Sequence, residues 1–362
     1  MTASEEARDA LVERLSQAAL GMGETLTVYL GDKLGLYRTL ADAGPLTSSE
    51  LASRAGIFER YAREWLEQQA AAGILEVDDV AAAEGDRRYS LPEGHAEPLL
   101  DVESPYSMAP FVKMYVAAGS AMPKLLEAFR SGDGVAATAY GRDMIEAVAD
   151  FNRPWLVGSL GTEYLPSIPD LHERLQADPP AKVADVASGA GWAGISLARA
   201  YPKITVDGFD LAESSIQLAN QNAREAGVSD RVRFEVRDAG DPSLEGRYDL
   251  AIVVEAIHDM SDPVSVLANI RRNLTAGGAL IVADQLTEDA FTAPASELER
   301  SNYVFSVLDC LPVGMDADTS VGTGTVMRRS TFERYAKEAG FDAVEVLPIE
   351  HESLRFYRLD RA

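Results

Sequence analysis

The sequence predicts a chain of two parts, in which a smaller and mainly helical domain precedes an α/β domain built on a mostly parallel sheet. In the second half, apolar segments of strand length alternate with segments of helical periodicity, which is the pattern of a parallel sheet covered by helices. The first half instead shows apolar residues at helical spacing. The chain has 362 residues, 46% of them hydrophobic, and this length exceeds what one core usually organises.

We expect a first domain over residues 1–110, a helical linker over residues 111–180 and the α/β domain over residues 181–362. Prolines interrupt the helical pattern just before the α/β domain, at Pro166, Pro169, Pro179 and Pro180. The linker is rich in large side chains, among them Phe111, Met114, Tyr115, Trp155 and Tyr164. Most of these should be core, and a few could line a substrate pocket.

The composition argues against several classes of function. The net charge of -25 disfavours nucleic acid and anionic membrane surfaces, because both require clustered Lys and Arg. The single cysteine, Cys310, excludes an internal disulfide and any multi-cysteine zinc site, and four histidines without ligand spacing give no metal signature. No apolar run reaches the ~20 residues of a membrane helix, and the first residues lack signal-peptide features. We therefore expect a cytoplasmic protein that binds a small molecule.

The first domain begins with a helical pattern. Residues 11–40 carry two apolar stripes, which predict two helices separated at Gly21 and Gly23. Thr47 and Glu50 then match a capping box, in which each side chain satisfies a backbone N–H of the other residue. A short helix should start there.

The next segments predict a winged helix. A second helix should end at Gly73, and its expected core face is Phe58, Tyr61, Ala62, Trp65 and Leu66. Residues 74–77 and 88–91 predict two short strands around a polar turn, which complete a helix–turn–helix with a wing.

A winged helix commonly reads a DNA groove, but the charges here argue against that use. Residues 1–110 hold nine Lys or Arg against twenty Asp or Glu, and the helix that would enter the groove places Arg60 and Arg63 among acidic residues. We therefore expect this domain to associate with a second copy of the chain or to support the substrate site. A ligand-sensing regulator that contacts DNA is the alternative.

The second half predicts five parallel strands, at residues 182–187, 204–210, 232–236, 250–255 and 279–283. Ligands of such sheets bind at the carboxyl ends of the strands. Residues 185–191 end the first strand in a turn of small residues, which lets a ligand approach the backbone. Asp210 ends the next strand 19 residues after Gly191, where a carboxylate can accept hydrogen bonds from both ribose hydroxyls. Capping of the following helix is the alternative role for Asp210.

The turn leaves two adenosine cofactors open. Residues 189–194, G-A-G-W-A-G, match the G-x-G-x-x-G pattern of nicotinamide dinucleotide sites. Asp185 argues against a dinucleotide, because a carboxylate there would repel a pyrophosphate. The same carboxylate suits a ligand with cationic groups.

Several segments together resemble the class I S-adenosylmethionine-dependent methyltransferases, whose fold is Rossmann-like. Residues 185–191, D-V-A-S-G-A-G, are similar to their first motif, D-x-G-x-G-x-G. The other similar segments are residues 208–210 (the ribose-binding acid), 237–239 (the adenine-contacting turn), 274–280 (the turn before the fifth strand), and 343–349 with 354–359 (the closing antiparallel hairpin). Ala187 departs from the motif because it replaces the first glycine, so its Cβ must fit the turn.

The full chain has the layout of dimeric small-molecule O-methyltransferases, in which a winged helix precedes this domain. Residues 257–262, I-H-D-M-S-D, are similar to their L-H-D-W-S-D segment, and bacterial members with the sequence E-A-I-H-D-M are more similar still. The resemblance implies catalytic roles for His258, as general base, and for Asp259. It implies cofactor contacts for Asp185, Ala187, Ser188, Gly189, Gly191, Asp210, Leu211, Asp238, Ala239 and Glu255.

We therefore expect a metal-independent homodimer that transfers a methyl group from S-adenosylmethionine to an oxygen of a small, partly aromatic or apolar molecule. Nitrogen and carbon acceptors stay open, as do a non-methylating use of the cofactor and a nicotinamide dehydrogenase. For His258 the alternatives are a cap on the helix that begins near Asp262 and a contact with the cofactor.

Overall fold

The computed structural model describes residues 2–361 and groups them into two compact units, of which one ends at Val116 and the other begins at Ala117. Residues 117–180 therefore group with the sheet that follows them. The division of the chain into three parts stays a prediction.

The first unit is mainly helical, with one short antiparallel ladder. Its elements are α1 (Ala3–Lys33), α2 (Leu36–Ala43), α3 (Ser48–Ala55), α4 (Glu59–Ala71), β1 (Glu76–Val77), β2 (Tyr89–Ser90), α5 (Glu93–Leu100) and the first part of α6 (Ala109–Ser131). The core forms around Tyr37, Leu51 and Leu66, and the Tyr37 hydroxyl donates to Gln69 Oε1 over 2.5 Å. Helices α3 and α4 and the two-strand wing are those that the sequence predicts.

Two details of the first unit correct the sequence prediction. Helix α1 continues through Gly21 and Gly23, and the chain turns only at Gly35, which has a φ of 65°. A glycine weakens a helix but ends it only where a left-handed conformation is needed. Phe58 and Tyr61 are not core residues, because 74% and 77% of their surfaces are exposed. Phe58 is the N-cap of α4 and Tyr61 lies in its first turn, whereas the buried face of α4 contains Ala62, Trp65 and Leu66.

The second unit is a seven-stranded sheet with helices on both faces. After α6 come α7 (Gly141–Trp155), a π-helical segment (Leu156–Tyr164), α8 (Pro169–Gln176), β3 (Lys182–Val186), α9 (Trp192–Ala200), β4 (Thr205–Asp210), α10 (Glu213–Glu225), β5 (Val232–Val236), β6 (Tyr248–Val254), α11 (Pro263–Asn273), β7 (Leu274–Gln285), α12 (Glu297–Phe305), α13 (Leu311–Gly314), α14 (Arg329–Glu338), β8 (Glu345–Val346) and β9 (Leu354–Asp360).

The strand order is β5-β4-β3-β6-β7-β9-β8. The first five strands are parallel, β9 is antiparallel to β7, and β8 is antiparallel to β9. The predicted α/β fold and its closing hairpin are confirmed. From β3 the chain adds β4 and then β5 on one side of β3, and it then crosses to place β6 on the other side of β3. The carboxyl ends of β3 and β6 therefore flank a topological switch point, where such sheets bind ligands.

Two apolar layers hold this sheet. One packs α8, α9 and α10 against one face, around Val183, Ile195 and Val206, and the other packs α11 and α14 against the opposite face, around Leu267 and Phe332. Both faces are covered, as expected of a parallel sheet. Within residues 2–361, no helix has the length and apolar character needed to cross a bilayer.

Candidate active site

The turn after β3 has an unusual backbone conformation that glycine makes possible. Gly189 and Gly191 have φ values of 51° and 80°, and Ala187 also lies in the left-handed region with a φ of 53°. For an alanine this conformation costs about 1–2 kcal/mol. The backbone N–H of Ser188 donates to the carbonyl of Phe209 over 2.9 Å, which ties the turn to β4.

The glycines of the turn have different physical reasons to be glycine. A Cβ on Gly189 would meet no atom within 4 Å, so this position borders open space. A Cβ on Gly191 would lie 2.5 Å from the ring of Phe234, and one on Gly194 would lie 3.0 Å from Asp185 Oδ2. Gly189 thus leaves room for a ligand, whereas Gly191 and Gly194 allow close packing of α9 on the sheet.

Asp210 connects the end of β4 to this turn. Its Oδ2 accepts a hydrogen bond from Gly189 N over 2.9 Å and its Oδ1 accepts one from Ala212 N over 2.8 Å. Burial raises the pKa of this carboxyl, although the two backbone donors oppose the increase. Each oxygen retains a lone pair, so the carboxylate can still accept hydrogen bonds from two ribose hydroxyls.

Asp185 is more deeply buried than its predicted role suggests. Only 2% of its surface is exposed, and its Oδ2 accepts a hydrogen bond from Gly194 N over 2.8 Å at the start of α9. Burial, together with the nearby Asp210, raises the pKa of Asp185 to about 7. A cationic ligand at the turn would favour the charged form of this group.

The predicted adenine side of the site has an apolar surface. Val236 ends β5 and pairs with Asp210 at the end of β4, and Leu211 comes directly after Asp210. The side chains of Leu211 and Val236 are 73% and 53% exposed. Asp238 is exposed and its Oδ1 accepts from Gly240 N over 2.7 Å, while Asn269 donates to the Ala239 carbonyl. Val236 was not predicted from the sequence, although its place at a strand end was a usable signal.

These residues fit an adenosine-containing cation. The open space at Gly189 leaves room for such a molecule to approach the backbone. The Asp210 carboxylate suits its ribose, and the exposed side chains of Leu211 and Val236 suit its base. The buried carboxylate of Asp185 matches its positive charge. A pyrophosphate would gain nothing from two carboxylates at this turn.

Glu255 follows β6 with a φ of 48°, and its N–H donates to the Ala283 carbonyl over 2.7 Å. The side-chain amides of Asn152 and Gln285 donate to its two carboxylate oxygens. Burial raises the pKa of Glu255, and the amides and His258 oppose that change. Asn152 and Gln285 were not predicted, because they lie 103 and 30 residues away in sequence.

His258 lies in a short 3-10 turn, Ile257–Asp259, between β6 and α11, and is only 3% exposed. Its Nδ1 lies 2.5 Å from Asp284 Oδ1, and its Nε2 lies 3.2 Å from Asp259 Oδ1. Asp284 is a buried residue near the end of β7. The sequence predicted that Asp259 or another carboxylate would orient the imidazole, and Asp284 contacts Nδ1. The cap of α11 is Asp262, whose Oδ1 accepts from Ser265 N.

Two opposing effects set the pKa of His258. Burial alone would lower it, but the carboxylates of Asp259 and Asp284 outweigh burial and raise the pKa well above 6.5. The two carboxylates therefore favour the protonated form of the imidazole. A role as base requires that it first lose this proton.

A π-helical turn, Ser306–Cys310, brings two further groups to His258. Cys310 Sγ belongs to a cluster with His258 and Asp259 in which one ligand atom from each residue lies within 4.8 Å of the others. Burial raises the pKa of the Cys310 thiol to about 12, and burial with the nearby Asp259 raises the pKa of Asp309 to about 7. The sequence had indicated only a buried or half-buried thiol, because no local motif connects position 310 with position 258.

The comparisons with known proteins agree with this geometry. Residues 177–325 match a family model described as a methyltransferase domain, and residues 22–100 match one described as an Rv2258c-like winged HTH domain. Among curated relatives, the N,N-dimethyltransferase OxyT of Streptomyces rimosus is 26% identical over 84% of this chain and 87% of that protein. The 3-amino-4-hydroxybenzoate 4-O-methyltransferase of Streptomyces cremeus is 25% identical over 96% of this chain and 90% of that protein.

Solved structures show the same fold over the full chain. The mitomycin 7-O-methyltransferase MmcR has a TM-score of 0.72 at 19% identity and covers 99% of this chain and 100% of its own. Human N-acetylserotonin methyltransferase in complex with S-adenosylmethionine has a TM-score of 0.69 at 21% identity and covers 100% and 99%. The chain is therefore a methyltransferase in which a winged-helix domain precedes a Rossmann-like methyltransferase domain.

We expect Asp185→Asn to raise stability and weaken cofactor binding. The pKa of Asp185 is raised from 3.8 to about 7, so its stabilising contribution is complete below pH 3.8 and is lost as the pH rises through 7. Asn keeps an acceptor for Gly194 N and cannot ionise. Thermal unfolding of the ligand-free protein at pH 8 should show a gain on the order of 2–4 kcal/mol, and S-adenosylhomocysteine affinity should fall at least tenfold.

The control for this substitution is Asp342→Asn, on an exposed aspartate between α14 and β8, which should change neither quantity. At pH 5 the gain from Asp185→Asn should shrink, because the native carboxyl is then largely neutral. Equal stability of variant and wild type at pH 8 would show that the buried carboxylate is not costly.

Proposed function

We propose that this methyltransferase transfers a methyl group from S-adenosylmethionine to a hydroxyl oxygen of a small, partly aromatic or apolar molecule, with His258 as general base. The observation that carries the proposal is the position of His258. It follows β6, the strand beside the cofactor turn of β3, and two carboxylates contact its two ring nitrogens. The cofactor contacts predicted from the sequence are part of the same proposal.

The residues of the chain have simple tasks in such a reaction. When bound, the cofactor supplies an electrophilic methyl group on a sulfonium. Asp284 would accept a hydrogen bond from Nδ1–H of His258 and fix the ring, so that Nε2 faces Asp259 and can receive the proton of the acceptor hydroxyl. Asp259 stabilises the imidazolium that results. The turn at Gly189 and the carboxylate of Asp210 would hold the donor.

The relatives support an oxygen acceptor and keep nitrogen as the second candidate. The names of the Streptomyces cremeus enzyme and of the tetracenomycin 8-O-methyltransferase TcmO of Streptomyces glaucescens specify O-methylation, whereas OxyT is named an N,N-dimethyltransferase. The contacts of His258 favour oxygen, because a phenol or alcohol must lose a proton that a neutral amine retains until after transfer.

The first domain, in this proposal, joins two copies of the chain in a cytoplasmic homodimer. Helix α1 has 31 residues and spans about 46 Å. It exposes an apolar series that comprises Leu11, Val12, Leu15, Leu20, Met22, Leu26, Leu30 and Leu34. Exposed apolar surface of this extent on a helix is typical of a surface that a partner covers.

A DNA-contacting regulator is less consistent with the charges of α4. Arg60 pairs with Glu64 within the helix, and Arg63 lies 2.6 Å from Glu84. These are the arginines that would have to reach phosphates, and carboxylates already neutralise them.

The acceptor and the base are tested together. A screen of phenols, carboxylic acids and amines with methyl-labelled S-adenosylmethionine should give labelled ether from a phenol. With that acceptor, His258→Ala should lower kcat at least about 100-fold and leave S-adenosylhomocysteine binding unchanged. His172→Ala is the control, since His172 lies in α8 and its Nδ1 is 2.9 Å from the Tyr201 hydroxyl. Unchanged turnover in His258→Ala would contradict the role of His258 as base. Methyl transfer only to amines would show that the acceptor atom is nitrogen and not oxygen.

The pH profile should follow the raised pKa of His258. Because the base must be neutral, kcat/KM should rise with pH along a limb whose midpoint lies above 6.5. Asp259→Asn removes a carboxylate that favours the imidazolium, so the limb should move to lower pH. Asp262→Asn, a neighbouring substitution that keeps the α11 cap, should leave the limb in place. A limb that does not move in Asp259→Asn would contradict the assignment to His258.

The homodimer is tested by light scattering after size exclusion. Wild type should show twice the mass of one chain, and the double variant Leu15→Glu/Leu26→Glu should show one, because it places charges in the apolar series of α1. Gln17→Glu adds a charge two positions from Leu15, on the opposite side of the helix, and should remain dimeric. A monomeric wild type at micromolar concentration would contradict the proposal.

A further inference from the structure

We propose that His258 Nε2, Asp259 and Cys310 Sγ form a binding site for one zinc-like divalent cation, and that the metal-bound protein is an inactive state. Metal binding does not depend on the proposed methyl acceptor. The inhibitory consequence rests on the proposed base role of His258.

The ligand atoms have suitable identity and spacing. One nitrogen, one oxygen and one sulfur lie within 4.8 Å of one another. In a tetrahedral zinc site with bonds of about 2.0–2.3 Å, ligand atoms lie about 3.3–3.8 Å apart. Small rotations of the Asp259 and Cys310 side chains, both of which are half-buried, would close this difference. A fourth position would be left for solvent.

The surroundings of His258 match those of a metal-binding histidine. Such histidines usually donate Nδ1–H to a carboxylate, which orients the ring and makes Nε2 a better ligand. Here Asp284 Oδ1 lies 2.5 Å from Nδ1, and Asp284 is 1% exposed. This contact directs Nε2 toward Asp259. The Asp284 carboxylate can keep the same contact with Nδ1 whether a proton or a metal occupies Nε2.

An unsatisfied polar atom also points to a missing cation. Asp259 Oδ1 is shielded from solvent and has no hydrogen-bond partner among residues 2–361, although it lies 3.2 Å from His258 Nε2. Asp284 Oδ2 is likewise shielded and without a hydrogen bond in the described part of the chain. The imidazole of His258 contacts both carboxylates, and a divalent cation on Nε2 in place of a proton would balance their negative charge more fully.

The donor set favours zinc-like ions over magnesium or calcium. Thiolate and imidazole are ligands of Zn²⁺ and Co²⁺, whereas Mg²⁺ and Ca²⁺ take oxygen ligands. Binding would release the Cys310 proton to solvent, so that the thiolate and the Asp259 carboxylate balance the two charges of the ion. With a metal on Nε2, His258 has no lone pair left to accept a proton.

The experiment uses Co²⁺, because its spectrum reports the ligands directly. The full-length protein is freed of metals with a chelator and titrated with Co²⁺ without thiol reductants. We expect one equivalent to bind and to produce a near-ultraviolet band from thiolate-to-Co²⁺ charge transfer. The chain has a single cysteine, so this band can arise only from Cys310. Zn²⁺ should displace the Co²⁺ and abolish the band.

Variants separate the ligands from the rest of the chain. Cys310→Ser should lose the band, and Asp284→Asn should weaken Co²⁺ binding about 10–100-fold. His95→Gln, at an exposed histidine of the first unit, should bind as wild type does. Each variant is first checked for S-adenosylhomocysteine binding to confirm that it folds.

A wild-type protein with no charge-transfer band at one equivalent of Co²⁺ would overturn the proposal, and so would unchanged affinity in Cys310→Ser. The titration needs no methyl acceptor, so its failure leaves the proposed methyl transfer untouched. Conversely, a metal-binding protein with no detectable methyl transfer would retract only the inhibitory consequence.

Discussion

The hydrogen bond from Gly189 N to the Asp210 carboxylate ties together the parts of the site that come from two strands. It connects the turn after β3 with the end of β4, and the Ser188–Phe209 backbone contact reinforces it. Gly189 follows β3 and borders the switch point between β3 and β6, whereas Asp210 ends β4, the neighbour of β3 on the other side. In the proposed site, the position of the cofactor would depend on the register between two strands and on one carboxylate that the backbone and the ligand would share.

The second half of the site is dominated by buried charge. Asp259, Asp284 and Glu255 surround His258, and Asp309 interacts electrostatically with Asp259. A single imidazole cannot neutralise so many carboxylates. Burial raises the pKa values of the Asp309 and Glu255 carboxyls, and the neighbouring carboxylates of Asp259 and Asp284 raise them further. A site of this kind stabilises positive charge, which suits a sulfonium donor. The same negative charge would favour the proposed divalent cation.

Much of the fold could be predicted because it depends on local patterns. The capping box at Thr47, the strand-end turn at Gly189 and the closing hairpin each carry their signal within a few residues. Gly21 and Gly23 misled the prediction because composition does not reveal φ, and Phe58 and Tyr61 did so because helical spacing alone does not show which face is buried. Asn152, Gln285, Asp284 and Cys310 lie far from Glu255 or His258 in sequence, so only the folded chain could bring them to the site.

The ring of Phe234 gives the glycine pattern a second meaning. A Cβ on Gly191 or on Gly208 would collide with this ring, at 2.5 Å and 2.1 Å respectively. Both positions must stay small for the core to close, with or without a cofactor. In evolutionary terms, these two glycines should persist even in descendants that have lost catalysis. Gly189, whose Cβ would face open space and whose φ of 51° is close to the 53° that Ala187 adopts, would then be under weaker selection. The part of the pattern that reports on ligand binding is a single residue.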